Sequence, residues 1–335
     1  MIKEKNVKPA KWNPLEREIF PVVLLLALIC SVAAFASRVT TDVEQAPRSS
    51  SSAVVQKTFA TPKEAVDALI KATESFDLPA LKEVLGADGE DLVASEDAVQ
   101  DKNRTAAFAA KAREKNEIVI DPKNPKRAML SVGNDDWPLP IPIVQKGGKW
   151  SFDTKAGRKE ILLRRIGSNE LDAIQICRGY VEAQQAYAQE KHDGAEVNQY
   201  AQRIISTAGK QDGLAWQNPD ASWGGPVGEG VAKALSQGYS NRSQPYHGYF
   251  FKILKGQGSA APLGQMDFVV NGAMIGGFAL AAAPADYRVT GVKTFIVSYE
   301  GVVYEKDLGT DTLSIFQEMT LYNPDKTWHR TDDNW

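Results

Sequence analysis

The sequence predicts an α+β protein in two units: helices followed by a curved antiparallel sheet over residues 58–166, then a long helix on a second antiparallel sheet over residues 167–322. Three observations predict it. Capped amphipathic helices open the first unit and short strand-like runs close it. A helical stretch with one wide apolar face occupies the middle, and alternating apolar strands broken by glycine turns fill the second half.

The chain of 335 residues starts with a basic segment, in which Lys3, Lys5, Lys8, Lys11 and Arg17 outweigh Glu4, Glu16 and Glu18. No charge follows from Ile19 to Ser37, and the run Val22 to Cys30 has the length of a signal-peptide core. Ala34-Phe35-Ala36 then presents the small-x-small pattern of signal peptidase, so residues 1–36 are read as a signal peptide cleaved after Ala36. The competing reading is a retained N-terminal membrane anchor, because an uncharged stretch of this length just crosses a hydrocarbon core of ~30 Å. The basic end stays inside in both cases. The remainder is therefore expected to be periplasmic or secreted, or anchored to the inner membrane and facing the periplasm, with membrane contact only through an uncleaved N-terminal segment. Leu28-Ile29 before Cys30 is too bulky for lipidation. Residues 37–57 are polar and Ser-rich and read as a flexible linker. Cleavage removes Cys30 and leaves Cys177 as the exported product's one cysteine, so no internal disulfide forms.

In the first unit, Thr61-Pro62-Lys63-Glu64 combines a capping Thr, a Pro at the first helical position and a Glu three residues on. Val66, Leu69, Ile70 and Thr73 share one face of that helix. Leu78, Leu81, Val84 and Leu85 do the same in a shorter helix stopped by Gly86, and a third helical stretch covers about Lys102 to Lys115. Strand-like runs follow at Glu117–Ile120, Ala128–Val132, Leu139–Val144 and Lys149–Phe152, the last two joined by Lys146-Gly147-Gly148 as a hairpin turn. This order of helices and sheet resembles the cone-shaped nuclear-transport-factor-two-like fold. The middle reads as two helices, Lys155–Arg165 and Asn169 to about Lys191, with Leu171, Ile174, Val181 and Ala188 on one stripe and Ala173, Cys177, Tyr180, Gln184 and Tyr187 on the next.

Four strings carry a family resemblance: Val132-Gly133-Asn134-Asp135-Asp136-Trp137-Pro138, Phe152-Asp153-Thr154-Lys155-Ala156-Gly157-Arg158, Asn169-Glu170-Leu171-Asp172-Ala173-Ile174-Gln175 and Pro245-Tyr246-His247-Gly248-Tyr249. They resemble a bacterial family of exported proteins known as a domain of unknown function, number 2950. The resemblance runs from about Phe59 to Trp328. It implies export and an unassigned role, and it brings no catalytic residues. The second half also resembles, more loosely, the soluble heads of type IV pilin-like proteins. A helix with an aromatic rung precedes strands at Tyr249–Leu254, Phe278–Ala283 and Thr294–Val297, and Glu300-Gly301 turns into Val302-Val303-Tyr304. The departure is that the whole first unit separates the N-terminal apolar segment from this helix. Thr310–Tyr322, with Leu313, Phe316 and Met319 on one stripe, is expected to close the unit, leaving residues 323–335 as a tail.

The chemistry on offer is narrow. Lys and Arg number 39 against 42 Asp and Glu, which argues against nucleic acid as a partner. Three His and two Cys supply no cysteine-rich metal site, and no cofactor or metal is expected. No G-x-S-x-G nucleophile elbow is present, and Gly256-Gln257-Gly258-Ser259-Ala260-Ala261 meets Pro262 where a dinucleotide-binding helix should run. Asn134, Asp135, Asp136 and Trp137 set two carboxylates and an amide beside an indole, which suits a cation or a sugar face; the plainer reading is a turn. Tyr246, His247 and Tyr249 form a second candidate, with strand-edge packing as the alternative. Cys177 sits mid-helix on an apolar stripe and reads as packing, and His192-Asp193-Gly194 as a solvated loop. The expected role is a non-catalytic binding or protein-interaction module with an envelope protein or glycan as partner. The runner-up is an envelope hydrolase or carbohydrate-active enzyme using Asp135, Asp136 or His247. A third reading, a small-ligand carrier, requires a deep apolar cavity in the first unit. Intact-mass measurement of the protein from envelope fractions is expected to give a chain beginning at Ser37; full-length chain confined to the membrane pellet would show the anchor instead.

Overall fold

The computed structural model describes residues 55–239 and 244–331. The signal peptide or anchor of residues 1–36, the cleavage site at Ala36 and the linker up to residue 54 lie outside the described residues.

Local capping sets the helices of the first unit. Helix α1 (Pro62–Glu74) starts where the Thr61 hydroxyl accepts the Glu64 N–H at 3.2 Å. The Glu64 carboxylate reaches back to the Ala60 N–H at 3.0 Å, one residue before the cap. Helix α2 (Leu78–Leu85) is capped by Asp77, and α3 (Glu90–Val93) is a single turn. Helix α4 (Ala98–Glu114) begins four residues before the expected Lys102, because Asp97 caps it through the Gln100 N–H at 2.9 Å.

Strands β1 (Asn116–Asp121), β2 (Asn124–Val132), β4 (Ile143–Lys146) and β5 (Lys149–Phe152) form an antiparallel sheet in the order β1-β2-β4-β5, with β3 (Trp137–Pro138) also on β2. The single run expected over Leu139–Val144 is broken, because Pro138, Pro140 and Pro142 have no N–H to donate and pairing resumes only at Ile143. Val66, Leu69, Leu81, Leu130, Ile143 and Phe152 are among the residues that fill the core between helices and sheet.

The two helices expected in the middle are one. Helix α5 (Thr154–Tyr187) runs for 34 residues, about 50 Å at 1.5 Å per residue, so the boundary placed between residues 166 and 167 falls inside a helix and not in a linker. Gly167 costs the helix ~1 kcal/mol relative to Ala, too little to break it when both flanking stretches are held by packing. Ile161 and Leu162 belong to the first core; Ile174, Cys177, Tyr180 and Val181 belong to a second.

Beyond α5, β6 (Arg203–Ile205) pairs parallel with β7 (Gly213–Gln217), and β8 (Trp223–Gly224) pairs antiparallel with β7. Helix α6 (Gly228–Gln237) follows. The main sheet is antiparallel and begins with β9 (Tyr249–Leu254). Short pairs β10 (Gly256–Gln257) with β11 (Met266–Asp267), and β12 (Val269–Val270) with β13 (Ala273–Met274), decorate the connection to β14 (Ala279–Pro284). Strands β15 (Lys293–Ser298), β16 (Val303–Asp307) and β17 (His329–Arg330) complete the order β17-β16-β15-β14-β9. Every residue of β14 is buried, which its alanines permit because α5 and α7 (Thr312–Glu318) both pack against it.

Two expectations at the C-terminus are corrected. The closing helix ends at Glu318 because Tyr322 leaves it to pair with the strand segment at Gln257, donating its N–H to Gly256 O at 3.0 Å and accepting from Gly258 N–H at 2.8 Å. Residues 323–331 of the expected tail are packed: β17 adds an edge strand to β16, and Thr331 N–H donates to Val303 O at 3.0 Å. Among the described residues no helix is long and apolar enough to cross a membrane.

Gly157 and Gly167, in the first half of α5, differ sharply in surroundings. A Cβ on Gly157 would stand 2.8 Å from Ile141 Cα and from Pro140 O, whereas one on Gly167 would meet nothing within 4 Å. Gly157→Ala is therefore expected to lower unfolding stability by about 1–3 kcal/mol, and Gly167→Ala to raise it by up to ~1 kcal/mol. Urea titrations check this; equal effects would show that α5 does not sit flush on the Pro140–Ile141 backbone.

Candidate functional site

The two sequence-predicted clusters are built differently and lie apart. Gly133 and Asp136 both take positive φ (75° and 50°), making Asn134-Asp135-Asp136 a tight turn between β2 and β3. Asp135 Oδ2 is 2.7 Å from Lys111 Nζ and Asp136 Oδ1 is 2.5 Å from Lys115 Nζ, while Asn134 donates to the Glu114 carboxylate. The hydrogen bond from Lys111 holds the Asp135 carboxyl below its usual range. The acidic turn thus clamps itself to the C-terminal end of α4, and Trp137 lies under the Arg164 guanidinium at 4.9 Å.

His247 sits at the other end of that helix. Its Nδ1 is 2.7 Å from Asp172 Oδ2, its ring lies against Tyr246 at 4.3 Å, and its φ of 51° is left-handed. Its neighbour Gly248 donates its N–H at 2.9 Å to Asp97, the cap of α4, while Lys111 holds Asp135 fourteen residues further along. At 1.5 Å per residue these anchor points are about 20 Å apart, so Asp135, Asp136 and His247 do not share a pocket. Tyr249 is fully buried and uses its hydroxyl on Lys293 O at 2.9 Å, with its ring against Gly291. It is core. Cys177 is buried and burial pushes its thiol up to about 12. His192 is not solvated as expected: its ring stacks on Tyr187 at 3.9 Å and Nε2 lies 2.9 Å from Tyr187 O.

Around His247 runs a buried polar seam that joins α4 and α5 to the loops of the second sheet. Asp97 has no exposed surface; its Oδ2 accepts from Tyr239 OH at 3.0 Å and Gly248 N–H at 2.9 Å. Burial pushes its carboxyl up, against the opposing pull of those donors. Asn169 Nδ2 donates to Thr290 O at 2.7 Å, and Glu170 Oε1 accepts from Val292 N–H and Lys293 N–H at 2.9 and 3.0 Å. Arg104 donates to Asn169 Oδ1 at 2.6 Å. The seam brings two of the resemblance strings, 169–175 and 245–249, into contact.

Arg104 also faces a cavity of about 310 Å³ inside the first unit. Leu69, Leu81, Leu85, Phe108, Ile141 and Ile161 supply apolar walls, and Asp101, Arg104 and Arg165 form one charged cluster among them. Arg165 Nη2 is 3.9 Å from Asp101, and its guanidinium also donates to the carbonyls of Asp91 and Leu92. A second cavity of about 570 Å³ lies past the end of α5, between Tyr187, His192, Arg203, Lys210 and Lys255. Sequence reading missed Asp97, Asp101, Arg104 and Arg165. Asp97 carried a signal, since Asp97-Ala98-Val99-Gln100 has an N-cap acid followed three residues on by Gln. The arginines carried none, because their role rests on contacts across the fold.

The seam and the acidic turn respond differently to substitution. Asp97→Ala removes a cap and leaves two buried donors unmet, and is expected to cost about 2–4 kcal/mol. The double change Asp135→Asn with Asp136→Asn removes exposed ion pairs and should leave the unfolding midpoint essentially unchanged. Chemical denaturation of the two variants side by side tests the ranking, and the reverse order would overturn it.

Residues 56–331 match the family described as protein of unknown function (DUF2950). No curated protein and no solved structure matches the chain. Since the match takes in both units, the polar seam between them and the cavity, the chain belongs to the DUF2950 family.

Proposed function

We propose that this protein is an exported, non-catalytic binding module of the cell envelope, and that its first unit takes up a small apolar ligand. The observation that carries the reading is the cavity of about 310 Å³ with leucine, isoleucine and phenylalanine walls and one charged cluster. Its size is at the lower end of the ~300–1,000 Å³ of small-molecule clefts, and a mostly apolar wall with few convergent polar groups is the common build of such sites. The basic N-terminal segment, apolar run and Ala34-Phe35-Ala36 support export to the periplasm or beyond, or tethering to the inner membrane if they are retained. The second unit, with its pilin-like order of long helix and antiparallel strands, is the half offered to an envelope protein or glycan.

The hydrolase reading loses support from the geometry. Asp135 and Asp136 are spent on lysines, and His247 is engaged by Asp172 at the far end of α4. The neutral dye N-phenyl-1-naphthylamine tests the binding reading. Its fluorescence is expected to rise and saturate at one dye per chain, and Thr105→Trp, which fills the cavity from α4, should abolish the rise without shifting the melting temperature. Absence of saturable binding, or binding indifferent to Thr105→Trp, would sink the proposal.

A further inference from the structure

The cavity's charged cluster points to the class of its ligand. Among the cavity-lining residues, Asp101 faces two guanidinium groups, Arg104 and Arg165, while the charge of Arg164 is met by Glu160 at 2.8 Å. Asp172 and Asp97 also act on Arg104 from outside the cavity wall, so what marks this arginine is its unspent N–H donors and not a surplus of charge. Arg165 is committed to tying α3 to α4, through the carbonyls of Asp91 and Leu92 on the one and Asp101 on the other. Asp101 in turn accepts the Ser95 N–H on Oδ2. Arg104 is different. It has five N–H donors, and among the described residues one hydrogen bond, to Asn169 Oδ1 at 2.6 Å, and no ion pair is formed. Burial and the neighbouring Arg165 charge lower its pKa against the opposing pull of Asp101, Asp172 and Asp97.

We infer that the ligand is an apolar monocarboxylic acid whose carboxylate is received by Arg104 and whose hydrocarbon part lies against Leu69, Leu81, Leu85 and Phe108. The inference rests on the binding reading above and specifies the ligand of that same site. A guanidinium presents a planar fork that matches a carboxylate with two parallel N–H···O bonds. One guanidinium with free donors suits a single carboxylate, whereas a phosphate dianion would leave its second charge unpaired against an apolar wall. A sugar would bury several hydroxyls against leucine and phenylalanine, leaving them without partners.

Displacement of N-phenyl-1-naphthylamine from the full exported chain decides the matter, with sodium decanoate and 1-decanol as matched probes. Decanoate is expected to compete at least tenfold more tightly than decanol. Arg104→Met should remove that advantage while leaving decanol and the dye unchanged, and Arg104→Lys should restore part of it. Equal competition by the two probes in the unaltered protein would overturn the acid assignment while the dye still reports a working cavity, and it does so whether or not the Arg104 variants fold. A parallel loss of both probes in a folded Arg104→Met protein would overturn the role of Arg104. If neither dye nor probes bind, the binding reading itself fails.

Discussion

Helix α5 buries its first turns in one hydrophobic core and its last turns in the other, so the placement of each core depends on an uninterrupted rise of 1.5 Å per residue through the middle of the chain. Gly157 lets the helix lie against the Pro140–Ile141 backbone, and Tyr180 carries the other end to the sheet by donating to Ala279 O at 3.3 Å. A break at Ile166-Gly167-Ser168 would free the two units to rotate, and the contacts that Asn169, Glu170 and Asp172 make with the loops at 247–248 and 290–293 would have no fixed register.

Those polar contacts lie where the helix changes cores. Fully buried Asp97, nearly buried Asn169 and the Glu170 carboxylate each meet backbone groups of distant loops, and no apolar side chain could satisfy those amides and carbonyls. The cost is visible at Asp97, whose carboxyl is pushed up by burial even with three donors on it. Such a network adds less to stability than to the uniqueness of the arrangement, since each member has one geometry in which it is satisfied. The cavity abuts the seam: Arg104 reaches Asn169, and Asn169 reaches the loop carbonyl of Thr290. An occupant paired with Arg104 would be two hydrogen bonds from the second sheet.

Legibility in the sequence followed the range of the interaction. Thr61, Asp77 and Gly86 act within a few residues of themselves, and the helices they bound came out where expected. Strands β9, β14, β15 and β16 were legible from their apolar runs and the Glu300-Gly301 turn, even though β14 and β15 are buried on both faces, whereas the short strands β10 to β13 between them carried no periodic signal. The prolines at 138, 140 and 142 were a readable signal that lost to an apolar count. That Asn134-Asp135-Asp136-Trp137 forms a turn was legible from its residue types; that Lys111 and Lys115, at the end of α4, pair with its two carboxylates was not.

By itself the sequence determined the α+β class, the capped helices of the first unit, the longer strands of the two main sheets and the family, since all of these rest on local composition, caps, periodicity or strings of neighbouring residues. Only the tertiary structure decided that two middle helices are one, that the stretch after Asn323 supplies an edge strand, and that Asp101, Arg104 and Arg165 meet beside a cavity. The physical reason is separation along the chain. Arg104 and Asn169 are 65 positions apart, Asn169 and Thr290 are 121, and Asp97 and Gly248 are 151. Burial makes each of those groups depend on its partner, and burial is a property of the packed chain that no single segment carries.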